Sequence, residues 1–127
     1  MIVMAPISVG ELVDKITILK IKLERITDKT KLESVQTELT HLQTTLDNLQ
    51  ISVDISALST ALFEVNAELW DIENFKRDCE RVGRFESDFI LAARQVYLKN
   101  DTRAKIKKEI NIATGSVIVE EKSYANI

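Results

Sequence analysis

Apolar residues recur along this chain at alternating spacings of three and four, the period at which a helix keeps one stripe turned toward a neighbour. The longest such run spans 54–82, where Leu58, Leu62, Val65, Leu69, Ile72 and Cys79 hold the register with Lys76 as a single polar break. At 1.5 Å of rise per residue this helix would extend about 40 Å, so shorter segments are expected to lie against it. Gly83 follows as its C-cap.

Upstream, residues 2–7 form a short apolar lead in which Pro6 holds Ala5 extended. Ser8-Val9-Gly10-Glu11 has capping-box spacing, with Ile7 placed to staple against Leu12. The first helix then carries Leu12, Ile16, Leu19, Leu23 and Ile26 on one seam, and Val13, Ile18 and Ile21 on other faces. A helix apolar on several sides is buried on several sides, either at the middle of a bundle or partly against a second copy. After Thr27 and Asp28, Leu32, Val35, Leu39, Leu42, Leu46 and Leu49 repeat without a miss, marking an outer helix with one inward stripe. Asp54 or Ser56 caps the long third helix, and the short connectors predict an up-down-up antiparallel bundle over 8–82.

The C-terminal part predicts two shorter helices within 86–114 that pack on the third. Phe89, Ile90, Ala93, Val96 and Tyr97 face inward on the fourth, Asn100-Asp101-Thr102 breaks the chain, and a fifth at 102–113 turns Ile106, Ile110 and Ala113 inward and Arg103, Lys105, Lys107 and Lys108 outward before closing at Gly115. Val117, Ile118 and Val119 are β-branched or apolar and suited to a small two-stranded patch with the N-terminal lead, leaving a polar tail over 115–127. The pattern predicts an all-α fold in one domain, 1–127.

Composition narrows the class. Three glycines and one proline in 127 residues disfavour a fold of many short strands, and 45% apolar content is enough to close one core. A net charge of −3 with both signs interspersed gives no field toward nucleic acid or an anionic membrane. One cysteine and one histidine supply neither a disulfide framework nor a zinc set, so no metal and no cofactor is expected. No segment is long and apolar enough to cross a bilayer, and the start lacks the features of a signal peptide, which predicts a cytoplasmic protein.

Four stretches carry a likeness: residues 5–26, Leu69-Trp70-Asp71-Ile72-Glu73, residues 100–111 and residues 119–124. They resemble a family of short bacterial and phage proteins classed only as a domain of unknown function. That resemblance implies one compact unit and brings no activity with it.

The side chains singled out for chemistry are Asp14, Lys15 and Lys22 on the first helix, Trp70, Glu73 and Arg77 on the third, and Asn100, Asp101, Arg103 and Lys107 near the fifth. A guanidinium and an ammonium beside an aromatic plane can hold a phosphate or carboxylate while the ring stacks on the ligand. The plainer reading makes Glu73 and Arg77 an i,i+4 pair and Trp70 a core residue. Cys79 lies on the apolar seam and His41 on the outer helix, so neither has a catalytic partner. The basic face near the fifth helix lacks interleaved aromatics, against nucleic-acid binding. Two functions follow. The first is a helical interaction or scaffold protein, self-associating as a dimer through the first helix and binding a partner protein through that helix or the exposed end of the third. The alternative is a cofactor-independent helical enzyme or small-anion binder that uses Arg25, Arg77, Arg103 and Lys107 beside Trp70. If that face is an exposed site, Arg77→Ala and Arg103→Ala are expected to leave the fold nearly intact.

Overall fold

Ser8 opens the first helix, α1 (Val9–Arg25), by accepting the Glu11 N–H on its hydroxyl. The other half of the capping box is not formed, because the Glu11 carboxylate turns to Lys107 and Lys15, and Ile7 is left 41% exposed. Asp28 caps α2 (Lys29–Asp47) by accepting from the Lys31 N–H, and Asp54 accepts from the Ser56 N–H at the start of α3 (Ser56–Val82). Gly83 and Gly115 adopt left-handed conformations, with φ of 67° and 68°, and end α3 and the last helix, α4 (Ser87–Thr114), as their positions in the sequence predict. The computed structural model describes residues 1–125, and the last two positions of the expected tail lie outside them.

Two features of the expected layout are replaced. The fourth and fifth helices are one continuous α4 that runs straight through Asn100, Asp101 and Thr102. These residues favour caps only where the backbone has nothing better; here Thr102 bonds back to the Leu98 carbonyl, and the turns on either side bury Ala92 on one and Lys107 and Ile110 on the other. The inward face is accordingly rotated from the expected one: Ile90, Tyr97 and Ala113 are exposed, whereas Arg103 and Lys107 turn in. Among the described residues there is no strand, and the apolar lead and Val117 to Val119 remain exposed instead of forming a two-stranded patch.

The helices are packed around α1. Its backbone approaches all three others, α3 and α4 approach each other, and α2 lies along α1 only, so the close three-helix set is α1, α3 and α4 instead of the first three in sequence. The α1 seam of Leu12, Ile16 and Leu19 meets Val35 and Leu39 of α2. Val13 joins Leu62, Val65 and Ile110 on another side, and Ile21 is 1% exposed. Of the extra apolar groups on α1, Val13 and Ile21 are thereby buried inside the chain, while Ile18 stays partly exposed.

Gly10 marks the closest approach of α1 to α4. Its N–H donates to Asn111 Oδ1 at 2.7 Å, and a Cβ at this position would stand 2.4 Å from the Lys107 carbonyl oxygen. At an ordinary helix site Gly→Ala stabilises by up to about 1 kcal/mol. Here the overlap with rigid backbone is expected to reverse the sign and destabilise by about 1–3 kcal/mol. Denaturant midpoints of Gly10→Ala check this, and a gain in stability would contradict the packing.

Candidate functional site

The spacing Gly10, Asp14, Thr17, Ile21 runs down the flank of α1 that faces α3 and α4, which places a carboxylate in the interior. Asp14 is fully buried. Asn66 of α3 donates to its Oδ1 at 2.8 Å and to Thr17 Oγ1 at 2.9 Å. Arg103 of α4 grips the same carboxylate with two prongs, Nε to Oδ1 at 2.9 Å and Nη2 to Oδ2. Lys107, one turn further along α4, stands 3.9 Å from Asp14 and donates to Glu11 and to Glu120 of the C-terminal tail. Among the described residues no buried side-chain nitrogen or oxygen lacks a partner.

These contacts set the charge states. The hydrogen bond to Asp14 raises Arg103 above its already high ordinary value and outweighs the burial that opposes it. Burial works against the charge on Lys107 more than any other single effect, yet the bonds from Glu11 and Glu120 together leave it raised. The Lys107 hydrogen bond in turn holds the Glu120 carboxyl below the usual carboxylate range.

Arg103 separates two hollows. On one side Glu11, Asn100, Arg103, Lys107, Glu120 and Lys122 surround about 240 Å³ of strongly polar space. On the other, Ile18, Ile21 and Leu69 floor a groove of about 350 Å³ whose rim carries Trp70, Glu73, Asn74, Arg77 and Arg103. Trp70 is half-buried on that rim and is not core filling. Glu73 pairs with Lys76 at 3.5 Å, not with Arg77, which is exposed and has no ion-pair partner among the described residues.

Of the residues chosen from the sequence, Trp70, Glu73, Arg77 and Arg103 share the groove, and Asp14 and Lys107 lie directly behind Arg103. Lys22 is half-buried on α1 outside both hollows, Lys15 pairs with Glu11, and Asp101 is exposed on the outer face of α4. Arg25 pairs with Asp71 and is no clamp for the groove. Asn66, Thr17, Glu11 and Glu120 were not anticipated. Asn66 had a signal, since it falls four residues after Leu62 and three before Leu69 and so occupies a seam position with a polar side chain. Glu120 had none, because nothing local brings the tail back over α4. Cys79 is 2% exposed on its seam and His41 is exposed on α2. No three His, Cys, Asp or Glu side chains among the described residues gather closely enough to hold a metal ion, and none of the described helices is long and apolar enough to cross a membrane.

Because Arg103 anchors a buried carboxylate, its removal is expected to damage the fold, contrary to what an exposed arginine implies. Arg103→Ala should cost about 3–5 kcal/mol, since it takes the two-pronged partner from a fully buried carboxylate, and Asp14→Ala should cost less, since Arg103 keeps access to the hollows on either side. Paired removal should cost less than the sum, which denaturant midpoints of the two variants and the double variant test. A second expectation concerns acid. With its folded value depressed, Glu120 contributes stability that is complete above the ordinary carboxylate pKa of about 4.3 and is lost as the pH falls through the lowered value. Amide resonances at 117–122 should therefore shift on acidification, and Glu120→Gln should flatten that change; resonances that stay fixed in the parent would refute the tail contact.

No curated protein and no solved structure matches the chain. A family model matches residues 3–127, nearly the whole length, and the chain therefore belongs to the family of unknown function DUF6165.

Proposed function

We propose that this chain is a small helical binding protein whose groove beside Trp70 takes a ligand with a planar or apolar body and one carboxylate or phosphate. The observation that carries the reading is the convergence of an apolar floor, a half-buried indole and an exposed guanidinium, that of Arg77, with no ion-pair partner among the described residues, on one concavity. Sites that are mostly apolar with a few convergent polar groups are the usual form of small-molecule pockets. Arg103 contributes shape more than charge, because Asp14 neutralises it; Arg77 supplies the attraction for the anion. Asn74 offers hydrogen bonds at the rim, and Glu73 disfavours a second anionic group beside it. The reading needs neither cofactor nor nucleophile, and it takes the free, buried Cys79 as fitting a reducing cytosol.

A second reading, a self-associating interaction protein, is supported by a different observation: large apolar side chains exposed on α4, among them Ile90, Leu91, Tyr97 and Leu98. The two readings use separate faces and are compatible.

Trp70 is the sole tryptophan, so its fluorescence reports on the groove directly. A screen of aryl carboxylates, sugar phosphates and nucleotides is expected to yield compounds that both change this emission and raise the melting temperature, a ligand at a hundred times its Kd adding about 2.7 kcal/mol. Arg77→Ala should leave stability within about 0.5 kcal/mol of the parent and weaken binding by about 1.5–3 kcal/mol. Ligands that bind Arg77→Ala as tightly as the parent would overturn the proposal.

A further inference from the structure

Asn66 of α3 is only 5% exposed, and the orientation of its amide is fixed by what its neighbours can do. One N–H goes to Asp14 Oδ1 at 2.8 Å, and that carboxylate, gripped by Arg103, accepts only. The other goes to Thr17 Oγ1 at 2.9 Å, whose own proton is committed to the Asp14 carbonyl at 2.7 Å. Turning the amide over would set its carbonyl against two oxygens with no proton free to give. The nitrogen is therefore spent on the buried cluster. Among the described residues Oδ1 accepts no hydrogen bond. Every fully enclosed side-chain oxygen among them has a partner, so this one is reached from outside, and the hollow that Asn66 lines is the Trp70 groove.

An acceptor in a mostly apolar floor costs little while water reaches it, but a ligand that covers it must replace the hydrogen bond it takes away. We propose that Asn66 selects the ligand of this groove by accepting an N–H or O–H from the end opposite the anionic group. This rests on the Trp70-groove reading and gives it a ligand class: an elongated acid with a hydrogen-bond donor at its far end. The length follows from α3. Asn66, Trp70, Glu73 and Arg77 succeed one another at spacings of four, three and four, one stripe along the helix. The helix rises about 16 Å from the first to the last. Helical side chains lean toward the N-terminus and arginine is the longer of the two, which leaves roughly 10–15 Å between acceptor and guanidinium. Trp70 stands between them, so the span joining donor to anion is where a flat body meets the indole.

The test is calorimetric titration with three biphenyl carboxylates, acid on one ring, that differ only in the para substituent of the other ring: hydroxyl, amino or fluorine. The first two donate; fluorine is of similar size and does not. An apolar surface alone favours the fluoro compound, which is the least hydrated, and an acceptor at Asn66 reverses that order. The expected result in the parent is binding at least about tenfold tighter for the hydroxy and amino compounds, with the ratio falling to about twofold or less in Asn66→Ser, which removes the groove-facing oxygen. Arg77→Ala should weaken all three alike. Because Asn66 also holds Asp14, the folding of Asn66→Ser is checked by circular dichroism, and the ranking in the parent decides the matter even if that variant does not fold. An equal or reversed ranking in the parent, with Arg77 still required, overturns the role of Asn66 and leaves the groove reading standing. A donor preference that persists in folded Asn66→Ser also overturns it. Failure of all three to bind at millimolar concentration overturns the ligand class, and the groove reading falls with it only if the broader screen also finds nothing that depends on Arg77.

Discussion

The fold depends on a carboxylate that has been taken out of water. Asp14 sits on the central helix with no exposed surface, and an isolated charge there would cost several kcal/mol. Its compensation comes from two other helices at once: Asn66 from α3, and Arg103, backed by Lys107, from α4. Apolar seams tolerate small slides of one helix along another, since one methyl contact replaces the next. The Asp14 set does not, because a one-residue slip would draw Arg103 away from both carboxylate oxygens. One side chain thus fixes the axial position of three helices.

The same anchoring shapes the candidate site. A free arginine explores many rotamers, whereas Arg103 is held at three nitrogens by Asp14 and Asn100 and forms a stationary wall between the polar hollow and the Trp70 groove. Positioning a wall through buried partners keeps a cavity open without a ligand inside. Arg77, by contrast, lies on the exposed rim and has no ion-pair partner among the described residues.

The sequence showed the seams of α1, α2 and α3 plainly, because a stripe of Leu, Ile and Val at three and four has one physical meaning. It misled at Asn100 to Thr102, where cap-forming residues sit in the interior of a helix held straight by its buried side, and at Arg103 and Lys107, whose charge suggested an outward face. The convergence of Trp70, Glu73, Arg77 and Arg103 was legible from helix spacing plus the assumption that the end of the chain packs near Trp70. The partners of Asp14 were not, since Asn66 and Arg103 lie 52 and 89 residues away and no local pattern encodes such pairings. The oversupply of apolar groups on α1 was visible, but only the packing distinguishes a helix at the centre of its own fold from one shared with a neighbour.

The opening turn of α1 has a further consequence. Its first N–H groups are satisfied from the far end of the chain: Val9 donates to the Ser116 hydroxyl and Gly10 to Asn111, links that span 107 and 101 residues. During synthesis the nascent α1 can coil and gather α2 along its leucine seam, and its Asp14 carboxylate can meet Asn66 once α3 is made, but its first N–H groups wait for Asn111 and Ser116. The hairpin made first therefore stays incomplete at its opening turn until the C-terminal end of α4 and Ser116 just beyond it arrive to close it.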